Sequence, residues 1–236
     1  MTSKTKFEAP AFTRVGGIAA IAFAALIVLA NVIMIPAGLP LTGAEIGEVS
    51  AFFATERLAV GIGSALTPAA WVLATLFGAG AVAALWRSER ERRDAWSLVG
   101  LAGLILQNGT FAGIVATRLA LTSTAPHDRS ATTALWALHD ALFTLNGTFL
   151  ALALVGLSIG GRRTGLIPPW HGVLGLVAAA LQFSSATLAY WVIDTGGVLG
   201  LLGLLGWLMW VVWLVAYGIV LIRLNLETPA RTSMTP

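Results

Sequence analysis

The sequence contains no cysteine. Disulfides, thiolate metal sites and cysteine nucleophiles are therefore excluded. Histidine is nearly as scarce, with three residues. His127, His139 and His171 fall in three separate segments, so no pair is placed to clamp a haem iron, and neither metal nor cofactor is expected. Charge is the third shortage. Only 11% of the 236 residues are charged, against about 25% in a soluble domain, and so few cannot cover a water-facing surface. No long apolar run contains a lysine, which excludes a retinal-type Schiff base. The net charge of +3 is not a nucleic-acid signal, because the basic residues lie between apolar runs and not in one patch.

What is present is apolar sequence, 57% of the chain. Residues 15–44, 58–86, 95–117, 141–161, 164–193 and 195–222 contain no Asp, Glu, Lys or Arg. About 20 mostly apolar residues cross the hydrocarbon core as a helix. The runs therefore predict an all-α membrane bundle filling the whole chain as one domain, with spans near 15–36, 57–86, 96–121, 132–159, 169–191 and 197–224. The first run is too long for a signal-peptide core and lacks a cleavage site.

Eleven of the 14 basic residues fall on one side of that arrangement: Lys4, Lys6, Arg14, Arg87, Arg90, Arg92, Arg93, Arg162, Arg163, Arg223 and Arg231. Only Arg57, Arg118 and Arg129 fall on or near the other. The positive-inside bias puts both termini in the cytoplasm of a multi-pass inner-membrane protein. Trp86, Trp96 and Trp170 suit the inner interface, and Trp136 and Trp191 the outer one. The tails are polar and expected to be disordered. The mixed-charge run 87–94 reads as a solvated inner loop. Between the first two spans, Thr42 and Glu45 have capping-box spacing, and Ile46, Val49, Phe52 and Phe53 recur at helical spacing. They predict an amphipathic helix near 43–55 lying on the outer face.

Polar residues inside the runs mark the candidate site. With a rise of about 1.5 Å per residue, Asn108 and Gln182 lie roughly 18 Å from the inner ends of their spans, and Asp140 roughly 12 Å from its outer end. In a core about 30 Å thick these depths converge, and Gln107, His139, Ser184 and Ser185 join them within a turn. Arg118, Tyr190, Glu56, Arg57 and Asp194 lie nearer the outer surface, so polarity is concentrated in the outer half. A mid-membrane carboxylate costs about 2.5–3.5 kcal/mol on insertion scales. Asp140 is thus either half of an ion pair with Arg118 that holds two helices together, or a functional acid. Consecutive helical residues do not share a face, so His139 is expected to point away from Asp140.

Asn108-Gly-Thr-Phe111 is echoed by Asn146-Gly-Thr-Phe149. The spacing predicts close helix approach at Gly109 and Gly147, with the amides bonding across helices. Trp71, Trp207, Trp210 and Trp213 lie away from the interfaces. They read either as filler or as an aromatic wall able to stabilise a cation.

Two stretches carry a family resemblance. Phe53-Ala-Thr-Glu-Arg-Leu-Ala-Val60 resembles the acidic-then-Arg approach to the second span in a family of small bacterial six-helix membrane proteins of unknown function. Gly165-Leu-Ile-Pro-Pro-Trp-His-Gly-Val-Leu-Gly175 resembles that family's turn into its fifth span, with Pro169 where the family has a basic residue. The resemblance implies a topology and no chemistry. In size, aromatic content and sparse intramembrane acids the chain is also similar to integral membrane terpene cyclases, which protonate an alkene or epoxide of a prenylated substrate.

Two functions are therefore expected in competition. One is an intramembrane enzyme on a lipophilic, isoprenoid-type substrate. Asp140, Glu56 or Asp194 would be the general acid. Trp71, Trp207 and Trp210 would shield the cation, and Gln107, Asn108, Arg118, His139, Gln182 and Tyr190 would line the site. The other is a small transporter or a partner-binding subunit. Transport is disfavoured by the weak repeat and by a single interior proline, Pro68. A partner surface could be formed by Gly197, Gly200, Gly203 and Gly206.

Overall fold

A computed structural model describes residues 11–195 and 197–224. The polar tails, with Lys4, Lys6 and Arg231, and the expectation that they are disordered lie outside the described residues. The described chain is helical, without strands: α1 Phe12–Met34, α2 Ile46–Thr55, α3 Arg57–Arg92, α4 Trp96–Thr124, α5 Arg129–Arg163, α6 Pro169–Thr187, α7 Ala189–Thr195 and, after a 3-10 turn at Gly197–Leu199, α8 Gly200–Arg223.

Five segments are long and apolar enough to cross a membrane: α1, α3, α4, α5, and α8 with its leading turn. The 19 residues of α6 are long enough, but His171, Gln182, Ser184 and Ser185 dilute their apolarity. Its geometry is nonetheless that of a full bundle member. Antiparallel to α5, it brings Gly172 to Arg162, Gly175 to Ser158, and Gln182 to Gly147. After a break at Leu188, α7 carries Ile193 to Gly43 in the α1–α2 loop. The α6–α7 segment thus runs from the arginine-rich end of the bundle to the end covered by α2, and α8 returns beside it.

Several helix ends lie beyond the expected ones. α3 continues through the mixed-charge run, because opposite charges at i,i+4 support a helix; Arg87 Nε pairs with Glu91 Oε1 at 3.5 Å on the exposed face. It stops where Arg93 turns left-handed, at φ 57°. The run is therefore helix for most of its length, not a loop. At 36 residues α3 is about 54 Å long, well beyond the hydrocarbon thickness of about 30 Å.

Small residues set the helix separation. A Cβ added to Gly80 of α3 would lie 2.6 Å from Gly16 Cα of α1, and Gly100 of α4 meets Gly156 of α5 in the same backbone-to-backbone manner. Around these crossings Phe23, Phe77, Leu154, Trp210, Trp213 and Tyr217 form the main core. A second core of Met34, Val49, Phe52, Phe53, Val60, Leu121 and Trp136 lies beneath α2.

α2 carries the predicted apolar face, but packs it on the bundle end and begins later than expected. Glu45 is its N-cap and makes no side-chain cap bond, so the Thr42–Glu45 capping box does not form. Trp136 is also reassigned: it is buried beneath α2, whereas Trp86, Trp170 and Trp191 are exposed.

Candidate functional site

Asp140 is 1% exposed, and both its oxygens are engaged. Oδ2 accepts the backbone N–H of Gly43 at 2.8 Å. Oδ1 lies 3.2 Å from His139 Nδ1. Arg118 Nε, from α4, donates to His139 Nε2 at 3.0 Å. Arginine can only donate, so Nε2 is the acceptor, and the proton of a neutral ring sits on Nδ1 facing the carboxylate. The imidazole thus bridges guanidinium and carboxylate.

This arrangement corrects two expectations. Arg118 reaches His139 rather than pairing directly with Asp140. His139 does not point away: both side chains lie on the buried arc of α5, and the ring nitrogen reaches across to the carboxylate. Trp136 and Phe143 stack on the two sides of the ring at centroid separations of 4.6 and 5.9 Å, which fixes its plane.

Gly43 is the other anchor. Its φ of +79° is one that side chains rarely adopt, and a Cβ there would lie 2.5 Å from Ile193 O. The loop is thereby held against α5 by Asp140 and against α7 by close packing. The left-handed backbone at Gly43 is incompatible with a helical residue there, which agrees with α2 starting only after Glu45.

A second constellation forms a separate groove between α3 and α4, about 470 Å³ in volume and lined by Trp71, Val72, Thr75, Leu76, Ile105, Asn108 and Gly109. Val72 and Ile105 are more than half exposed and form its lips. Asn108 Nδ2 donates to Trp71 O at 3.2 Å and, more weakly, to Thr75 Oγ1 at 3.4 Å. One turn away, Pro68 cannot donate to the Ser64 carbonyl, which instead accepts from Thr67 Oγ1 at 2.6 Å. Of the two echo glycines, Gly147 packs closely on Gln182, whereas Gly109 faces open space. Asn108 bonds across helices through Nδ2 as expected, while the Oδ1 atoms of both Asn108 and Asn146 are buried without a partner.

The other predicted residues lie elsewhere. Gln182 Nε2 donates to Gly203 O at 3.0 Å and ties α6 to α8. Gly203 and Gly206 pack against α6 and are not a free stripe. Trp207 leans on Trp210, which meets Phe23 edge-on at 5.7 Å, so these rings belong to the α1–α8 packing. Gln107 is buried, with Oε1 unpartnered. Glu56 is the residue before α3, and Asp194 and Tyr190 are exposed on α7. No hydrogen bond joins Asp140 to Asn108 or Gln182 among the described residues. No cluster of three metal-ligating side chains occurs among them either.

The arginine-rich half is more polar than expected. Glu89, Ser97, Ser158 and His171 are all fully buried there. Glu89 accepts from Ser97 N at 2.8 Å and Ser97 Oγ at 2.5 Å, capping α4 from the preceding helix. The sequence held a signal for this: Ala95, at the N-cap of α4, has no side chain to do it. Gly156-Leu-Ser158-Ile-Gly160 carries the G-x-S-x-G spacing, also missed. Its context excludes a nucleophile elbow, which needs a strand-to-helix turn with an exposed serine; Ser158 is fully buried within α5.

Comparison with protein-family models, curated proteins and solved structures finds no match for this chain.

Proposed function

We propose that the chain is a six-span inner-membrane protein, with both termini cytoplasmic, that takes a lipophilic, isoprenoid-type molecule into the groove between α3 and α4. The observation that carries this reading is the groove itself: a laterally open, largely apolar recess whose wall bears one amide, Asn108, and one indole, Trp71. Its volume falls within the roughly 300–1,000 Å³ of small-molecule sites. Val72 and Ile105 give the ligand a path from the bilayer. Thr75 Oγ1 keeps a lone pair for a hydroxyl, and Asn108 Oδ1, buried without a partner, would accept one from a ligand that opens the wall over it. Six crossings are supported by the course of α6–α7 from the arginine-rich end to Gly43, and the orientation by the arginine asymmetry.

The test is photo-crosslinking of the reconstituted protein with a diazirine-bearing isoprenoid alcohol, followed by peptide mapping. Adducts at 71–76 and 105–109, abolished by filling the groove with Gly109→Trp, support the proposal. Adducts spread evenly over lipid-facing helices, unchanged by that substitution, refute it; crosslinks to another protein at the same residues would indicate a partner-binding subunit instead.

A second reading is acid-initiated chemistry on the same substrate class at the buried Arg118–His139–Asp140 array. Both Asp140 oxygens accept N–H bonds there, so Asp140 would have to take up a proton before it could donate one. For that reading substrate must displace Gly43 or His139 from the carboxylate, which is why binding at the groove is placed first.

A further inference from the structure

A second recess, of about 320 Å³, lies between the end of α5 and the first turns of α6, lined by Ile159, Arg162, Arg163 and Leu176. Its two arginines are not equivalent. Arg163 Nε lies 3.1 Å from Asp94 Oδ2, and its carbonyl accepts from Arg92 Nη1, so its charge is already matched. Arg162 is exposed and, among the described residues, makes no ion pair or side-chain hydrogen bond. Its Cγ and Cδ methylenes lie over Gly172, in space that a side chain there would occupy. The absence of a side chain at Gly172 thus leaves a track along which this long cation lies, with no counter-charge among the described residues.

The surroundings indicate what the guanidinium meets. Trp170, on the first turn of α6, is 58% exposed, as suits an indole at headgroup level. Ile159 and Leu176 continue the recess toward the apolar middle of the bundle. One end of the recess is therefore cationic and the other apolar. A guanidinium matches phosphate oxygens bidentately, and basic recesses between membrane helices suit anionic headgroups.

We infer that this recess binds an anionic phospholipid. Arg162 would hold the phosphate, with the first part of an acyl chain lying against Ile159 and Leu176. A free phosphate ion would satisfy the arginine but leave the apolar wall unused, so the lipid is the better match.

The experiment is native mass spectrometry of the full-length protein released from detergent, titrated with phosphatidylglycerol or phosphatidylcholine. The wild type should retain phosphatidylglycerol preferentially. Arg162→Gln should weaken that retention about tenfold or more, the scale of one lost hydrogen-bonded charge contact, and Arg162→Lys should recover only part of it. Arg90→Gln, on the exposed face of α3, should leave retention unchanged. Gly172→Leu, which blocks the track without removing charge, should weaken retention as well. Equal losses with Arg90→Gln and Arg162→Gln would reduce the effect to general surface charge and overturn the proposal. Complete displacement of the lipid by millimolar inorganic phosphate would overturn it in favour of a phosphate-ion site.

Discussion

Asp140 and Gly43 stand 97 residues apart and share a 2.8 Å hydrogen bond from the glycine N–H to the carboxylate. Through it a buried charge in α5 fixes the loop before α2, while His139 and Arg118 balance that charge from the other side.

Asp140→Asn keeps an acceptor for Gly43 and removes the charge facing His139 and Arg118. The expected cost is about 1–3 kcal/mol, as for a lost hydrogen bond to a charged group, measured by thermal unfolding in detergent. Arg118→Gln added to it should recover part of the loss, because the unbalanced guanidinium is then gone. If the double variant is no more stable than the single, the guanidinium and carboxylate are not coupled through the imidazole.

Gly43→Ala tests the same fastener from the loop side. Its left-handed φ and the nearby Ile193 carbonyl predict a loss of about 1–3 kcal/mol, the range for local backbone strain. Amide exchange should accelerate in 38–55 and at Ile193, and not in α3. Unchanged exchange in the loop would show that the turn tolerates a side chain.

At the opposite end, Ser97→Ala removes the hydroxyl but leaves the Ser97 N–H bond to Glu89. It should cost about 0.5–2 kcal/mol, the usual range for a helix cap. Glu89→Ala removes both acceptors and should cost more. Equal unfolding temperatures for the two variants would mean that the carboxylate does not cap α4.

The uncharged runs made the bundle legible, because hydrocarbon leaves a chain few alternatives to helices of about 20 residues. Helix ends were less legible. Once clear of the hydrocarbon, α3 is limited by local pairing such as Arg87–Glu91, not by hydropathy. Glu89 was hidden because one buried carboxylate among exposed charges has the same one-dimensional signature as its neighbours. Asp140 and His139 stood out as costly residues, but angular position on a helix wheel could not show that their side chains meet. Trp71 and Asn108 were both singled out, yet their union in one groove depends on how α3 lies against α4.

Membrane topology gives a further prediction. Reporter fusions after Arg163 and at the C-terminus should both read cytoplasmic, since α6–α7 returns the chain to the α2 end before α8. An external C-terminus would leave five crossings and remove α6–α7 from the count.

The central claim is that the ligand site is the α3–α4 groove and not the Asp140 array. Its most direct measurement is equilibrium binding of an isoprenoid alcohol to nanodisc-embedded Asn108→Leu and Asp140→Asn variants, each first shown to be folded. The account predicts that Asn108→Leu weakens binding about 2–10-fold, for one neutral hydrogen bond of about 0.5–1.5 kcal/mol, and that Asp140→Asn binds as the wild type does. Loss of binding in Asp140→Asn with full binding in Asn108→Leu would contradict it and move the site to the carboxylate.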